Sequence, residues 1–246
     1  MSQTLLIVGA TSAIGRAFAA ELARRGDSLL LAGRRLEELR RIASDLEIRF
    51  GGRPQIEYFD ALSDRPDDFL SRCHSALPSG LDGIVLCTGE MPGEAEARAD
   101  ASVLLGMIRV NYAANISLLE GLIPSLRRHA GGWICAITSV AGDRGRASNG
   151  LYGSSKGALG LYLQSLRARL STDGIRVTTV KPGFVDTGMT WGLPGLFLVA
   201  SPDRIARDAL RAAEKNRAIV YTPRFWGAIM LVIRWLPDRI FNRLQL

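Results

Sequence analysis

Short runs rich in Leu, Ile and Val recur along the chain at Thr4–Val8, Ser28–Ala32, Gln55–Phe59, Asp82–Cys87, Gly132–Thr138, Ile175–Lys181 and Ala218–Thr222. Their near-continuous apolar character predicts strands buried on both faces, as in a parallel sheet covered by helices. Longer stretches with apolar residues three and four apart lie between them, at Ile14–Arg25, Leu36–Arg49, Ala101–His129, Ser154–Leu170 and Pro202–Lys215, and these predict helices. Seven strands alternating with helices predict a doubly wound α/β fold. No repeat, low-complexity stretch or Pro/Gly/Ser-rich linker divides the chain, so a single domain is expected over residues 1–224, with residues 225–246 as a tail. In such a fold ligands sit at the carboxyl ends of the strands, and the loops that follow the strands are where chemistry is to be sought.

The first such loop, Gly9-Ala10-Thr11-Ser12-Ala13-Ile14-Gly15, follows a strand and opens a helix. Gly9 permits a tight turn, and the amides at the helix start suit a pyrophosphate. The second strand ends at Arg34 and Arg35, where an NAD-binding protein often carries an acid. Arg34 can offer a planar fork of donors to a 2′-phosphate and Arg35 can stack on adenine, so NADP(H) is expected over NAD(H). After the third strand, Asp60 and Ala61 are placed to meet the adenine, although an Asp there can also simply cap a turn.

Tyr152 and Lys156 stand four apart at the start of a helix-patterned stretch, so phenol and ammonium share a face. A tyrosine with an ordinary pKa near ~10 becomes a working acid or base when a cation favours its phenolate, which Lys156 can supply. Ser139, at the end of the fifth strand, can orient a substrate oxygen, and Asn111, a polar amide in an apolar helix, needs partners or a bound water. Each has an innocuous alternative: a surface pair, a loop cap, a helix-bending residue. Their joint placement at one edge of the sheet favours catalysis.

Composition narrows the picture. The formal charge of +7 is mostly arginine, scattered rather than massed, and no Cys/His finger accompanies it, which argues against a nucleic-acid partner. The three cysteines, Cys73, Cys87 and Cys135, lack metal-ligand spacing, so no metal is expected. The opening residues carry neither a basic n-region nor a cleavage site, and a cytoplasmic location is expected.

These motifs together resemble the short-chain dehydrogenase/reductase family, from Gly9 through Thr187. The resemblance implies a Rossmann fold, a nicotinamide cofactor and a catalytic tetrad of Asn111, Ser139, Tyr152 and Lys156. Cofactor contacts are implied at Gly9, Thr11, Ser12, Ala13, Ile14, Gly15, Arg34, Arg35, Asp60, Ala61, Gly89, Tyr152 and Lys156, and at Pro182, Gly183, Val185 and Thr187 beyond the sixth strand. By this likeness Tyr152 exchanges the proton, Ser139 binds the carbonyl oxygen, Lys156 holds the nicotinamide ribose, and Asn111 supports a water relay. A homodimer or homotetramer is implied as well. Ala13 and Cys87-Thr88-Gly89 depart from the family's usual glycine and Asn-Ala-Gly, so altered packing is expected there. GATSAIG, SVAGDRG and KPGFVDTGMT with the basic apolar tail look most like bacterial reductases similar to the keto-ribose reductase subunit of decaprenylphosphoryl-ribose epimerase. That likeness implies a lipid-linked keto sugar as substrate. Small alcohols, steroids or acyl chains are the alternative substrates, and a non-catalytic nucleotide-binding scaffold is the alternative function.

The segment around residues 188–200 reads as a lid over an apolar ligand or as a loop against a partner subunit. Phe225–Leu236 is apolar but shorter than the ~20 residues of a membrane span, and basic residues follow it. The tail therefore either covers the core or a subunit interface, or contacts a membrane surface, peripheral at the inner membrane, or a lipid substrate.

Overall fold

The computed structural model describes residues 2–129, 131–192 and 196–243. Seven strands, β1 (Thr4–Val8), β2 (Ser28–Gly33), β3 (Gln55–Tyr58), β4 (Gly83–Leu86), β5 (Trp133–Ile137), β6 (Arg176–Pro182) and β7 (Ile219–Thr222), form one sheet in the order β3-β2-β1-β4-β5-β6-β7. Every pairing is parallel. This is the doubly wound Rossmann arrangement, with the switch in strand order between β1 and β4.

The continuous apolar strands divide by the period of two between two cores. Leu5, Ile7, Leu29, Leu31, Val85, Cys135 and Val180 face one side, where α1 (Ala13–Arg24), α2 (Leu36–Phe50) and α8 (Pro202–Glu214) supply Phe18, Leu22, Leu39, Leu46, Ile205 and Ala209. Leu6, Val8, Leu30, Ile84, Leu86, Ile134 and Ala136 face the other. There Phe69 of α3 (Pro66–Ala76), Leu118 and Leu122 of α6 (Ala114–Leu126), and Leu159, Leu163 and Leu166 of α7 (Gly150–Leu170) pack on them. The buried Cys73 and Cys135 are core residues, and burial pushes both thiols up to about 12.

Three features depart from the pattern reading. Helices α3 and α4 (Glu94–Ala99) were hidden by their polar exposed faces. The long stretch expected over 101–129 is broken: α5 (Ala101–Ile108) passes through a π turn at Arg109–Ala113 before α6. Residues 101–126 are apolar and long enough to span a membrane by length and composition, but Leu118, Leu119 and Leu122 are spent on the core. The tail forms α9 (Phe225–Trp235) and α10 (Asp238–Phe241), and α9 buries Trp226 and Met230 against Val140, forming a third core under the carboxyl edge of the sheet. The expected tail boundary at 225 thus coincides with a helix built into the domain, while residues 244–246 of that tail lie outside the described residues.

Candidate active site

A cleft of about 2430 Å³ runs along the carboxyl ends of the strands. Every residue expected on sequence grounds to be catalytic or to touch the cofactor lines it, except Gly15 and Asn111.

At one end, β1 turns through Gly9, whose φ of +80° suits glycine. A Cβ at Gly9 would lie 2.8 Å from the Cys87 carbonyl carbon, and one at Gly15 would lie 2.4 Å from the Gly9 carbonyl oxygen. These close approaches explain both glycines, and Gly15 serves the turn from behind the cleft wall. Ser12 caps α1 by accepting the Gly15 amide at 3.0 Å. The amides of Ala13 and Ile14 precede the helix's own hydrogen-bond ladder and open at the cleft, so a pyrophosphate fits this helix end. Ala13 is simply the first helical residue, which shows why its methyl is tolerated in place of glycine.

Arg34 is exposed at the end of β2 and takes part in no ion pair among the described residues. Arg35, by contrast, is tied to Glu38 at 2.7 Å and to the Thr11 carbonyl at 3.4 Å. Asp60 Oδ1 accepts the Leu62 amide at 3.0 Å, the turn-capping role, while the residue also borders the cleft.

The centre of the cleft brings Tyr152, Lys156 and Ser139 together. Lys156 is buried, and its Nζ donates to the carbonyls of Thr88 at 3.2 Å and Ile137 at 3.5 Å. The absence of a side chain at Gly89 makes room for it, since a Cβ there would lie 2.6 Å from Nζ. Ser139 closes β5 and accepts the Ala141 amide at 3.1 Å, which starts the 3-10 turn Val140–Asp143. Burial pulls the Lys156 ammonium down to about 8, against a small opposing influence of Cys87. Burial likewise pushes the Tyr152 phenol up to about 12, partly opposed by the Ser139 hydroxyl. Desolvation is thus the larger influence on the phenol, and the Ser139 hydroxyl, not Lys156, is the group that opposes it.

Asn111 sits in the π turn, fully buried behind the cleft. Its Nδ2 donates to the Glu90 carbonyl at 2.9 Å and to Ser155 Oγ at 3.0 Å, and its Oδ1 accepts the Glu90 amide at 2.8 Å. The amide protons are thus committed, one to the loop after β4 and one to Ser155 on α7. Thr88 hydrogen-bonds Asn115 one helical turn further on. These amides from the helix brace the Cys87-Thr88-Gly89 loop, which lacks an asparagine of its own.

At the other end, Pro182, Gly183, Val185 and Thr187 leave β6 along the cleft. A Cβ on Gly183 would meet the Trp226 indole at 2.0 Å, so the glycine and α9 are fitted to one another. Phe184 and Phe197 stack edge-on at 5.6 Å, and each lies 5.6 Å from Trp226. With Ile229 and Ile233 they form an apolar wall. Leu196 and Phe197 of the expected lid line the cleft here, whereas 193–195 lie outside the described residues. Pattern reading missed Thr88, Arg146, Asn149, Trp226 and Ile229 as cleft residues. Only the amphipathic spacing of α9 could have pointed to the last two.

The short chain dehydrogenase family pattern matches residues 3–194. The chain belongs to the short-chain dehydrogenases. An uncharacterised oxidoreductase of Bacillus subtilis is 32% identical over 190 residues, spanning 77% of each chain. The fold is shared with a short chain dehydrogenase of Salmonella enterica serovar Typhi, with a TM-score of 0.81 and 26% identity over 91% of this chain and 96% of that one. It is also shared with one of Shigella flexneri complexed with NADP, with a TM-score of 0.79 and 25% identity over 89% and 95%. The family match stops before α8 and α9, so the apolar wall of this short-chain dehydrogenase lies largely outside what its family prescribes.

Proposed function

We propose that this short-chain dehydrogenase is an NADP(H)-dependent ketoreductase in which Tyr152 is the proton donor to the carbonyl oxygen. The observation that carries this reading is the meeting of Tyr152, Ser139 and buried Lys156 in one cleft with the helix-end turn at Gly9–Gly15. A bound nicotinamide supplies the hydride. Ser139 hydrogen-bonds the carbonyl oxygen, Tyr152 gives its proton to the developing alkoxide, and Lys156 presents its charge beside both. Arg34, without a carboxylate partner among the described residues, is the residue that would hold a 2′-phosphate, and the NADP in the Shigella relative supports that cofactor.

The substrate of this reading is a ketone with a large apolar portion, in keeping with a lipid-linked keto sugar. Its support is the wall of Phe184, Phe197, Trp226, Ile229 and Ile233 beside Tyr152. The outer side of the same region exposes Trp191, Phe197, Leu198, Leu231, Val232 and Trp235, with Arg224, Arg234 and Arg239 nearby in sequence. Aromatic and basic residues on an apolar face suit an anionic membrane surface, from which a lipid-borne substrate enters the cleft. Exposed Leu105 and Leu161 on α5 and α7 suit self-association into a homodimer or homotetramer.

The deciding experiment is NADPH oxidation against a panel of ketones by the wild type and by Tyr152→Phe. Loss of turnover with retained NADPH binding is expected. Turnover that survives the substitution defeats the assignment. Sedimentation with anionic vesicles checks the membrane contact, where Trp235→Glu with Leu231→Glu is expected to abolish binding while leaving turnover of a soluble ketone in place.

A further inference from the structure

The loop from the 3-10 turn to α7 carries two arginines with opposite fates. Arg144 is fully employed: it donates to the carbonyls of Ile233 and Leu236, pairs with Asp238 at 2.7 Å and stacks 4.0 Å over the Phe241 ring. It fastens the tail to the domain. Arg146, two residues on, lines the catalytic cleft with no ion pair among the described residues. Among the described residues its one polar contact is Nη2 to the Met230 sulfur at 3.7 Å, a weak acceptor. Its Nε is buried without a hydrogen-bond partner, and so is Asn149 Oδ1 on the same loop, which also lines the cleft.

A guanidinium cannot escape such a position by losing its proton, and in this half-buried residue the buried, unpartnered Nε–H is the costly group. The nearby acids are already engaged. Asp143, whose charge Arg146 feels, accepts from Lys181 and from the Tyr221 hydroxyl at 2.6 Å, and Glu94 pairs with Arg98 at 3.1 Å. Burial lowers the Arg146 pKa from its ordinary value, partly opposed by Asp143.

We infer that Arg146 and Asn149 form a substrate subsite for an anionic, hydroxyl-bearing group, a phosphate or carboxylate on a keto sugar, beside the Tyr152 centre. This rests on the ketoreductase reading and adds the charge of the substrate to it. An anionic oxygen accepts from the Arg146 guanidinium in a charge-assisted bond, and a neighbouring sugar hydroxyl donates to Asn149 Oδ1. The wall from α9 then covers the apolar remainder of the molecule.

The test is calorimetric binding of D-xylulose 5-phosphate, 2-keto-D-gluconate and uncharged D-xylulose to protein saturated with NADP+. Saturation occupies the 2′-phosphate site at Arg34 and prevents turnover, so any preference for an anion reads the substrate end. The wild type is expected to bind at least one anionic sugar about tenfold or more tightly than D-xylulose. Arg146→Gln is expected to erase that preference while leaving D-xylulose binding and NADP+ binding unchanged, and Arg146→Lys to restore part of it. Which of the two anions is preferred separates phosphate from carboxylate. Equal binding of all three sugars, no binding of either anion, or equal weakening of charged and neutral sugars in Arg146→Gln overturns the subsite. Failure of the ketoreductase reading is seen separately, as absent NADP+ binding or as Tyr152→Phe protein that still reduces ketones.

Discussion

Asn111 and Glu90 hold each other reciprocally: Asn111 Nδ2 donates to the Glu90 carbonyl at 2.9 Å while Asn111 Oδ1 accepts the Glu90 amide at 2.8 Å. The pair joins the π turn of the long helix to the loop after β4, the loop whose Thr88 carbonyl in turn receives Lys156. Removing the amide leaves the half-buried Glu90 amide and carbonyl without these partners, a cost of about 1–3 kcal/mol for a buried group, while Ser155 Oγ keeps its bond to the Tyr152 carbonyl. Asn111→Ala is expected to lower the melting temperature by several degrees and kcat by about tenfold or more. Hydrogen exchange at the Glu90 amide is the direct check, and unchanged protection there contradicts the bracing role.

The pH profile follows from two desolvated groups, buried Lys156 and half-buried Tyr152. Tyr152 is pushed up to about 12 by burial and remains a donor throughout the neutral range, whereas Lys156 is pulled down to about 8 and titrates first. The reductive rate is expected to hold up to about pH 8 and fall above it as Lys156 loses its charge. Stability moves the other way in that window. The folded pKa of Lys156 lies below its unfolded value of 10.5, so between about 8 and 10 the unfolded chain binds more protons and stability rises with pH. Above about 10 the raised Tyr152 pKa works against this, because the unfolded chain then releases its phenol proton first. Rate and melting temperature measured together across pH 7–10 separate the two trends.

Arg34 stands at the cleft without an ion-pair partner among the described residues, and Arg35 is held by Glu38. Arg34→Ala is expected to raise the KM for NADPH by about tenfold, one charge-assisted pair, with little change for NADH, and Arg35→Ala to change the preference far less. Paired kinetics with the two cofactors decide this, and an undiminished NADPH preference in Arg34→Ala rules the assignment out.

Trp226 fills the space left by Gly183 and anchors α9 with Met230. Trp226→Ala is expected to cost about 3–5 kcal/mol and to release α9 from the cleft. Gly183→Ala must displace the indole and is expected to raise substrate KM more than NADPH KM. Denaturant melts and kinetics on both variants provide the check.

The sheet, its seven strands and the nucleotide turn were legible in the sequence because each rests on local rules. A strand buried on both faces must be apolar throughout, and the chain must pass the Gly9 turn with φ near +80° and no Cβ. Tyr152 and Lys156 could be paired for the same reason, since four residues of helix put them on one face. Tertiary structure alone decided the rest. The upward push on the Tyr152 phenol follows from the desolvation its neighbours impose, which spacing does not encode. The helical tail could have lain on a membrane or on the core, and the fit of Trp226 over Gly183 turned one face inward as a wall of the cleft. Arg144 and Arg146 are two positions apart and chemically identical, yet one is satisfied by the tail and the other is left facing the cleft. Which partners a side chain finds depends on segments about ninety residues away, and only the folded chain brings those together.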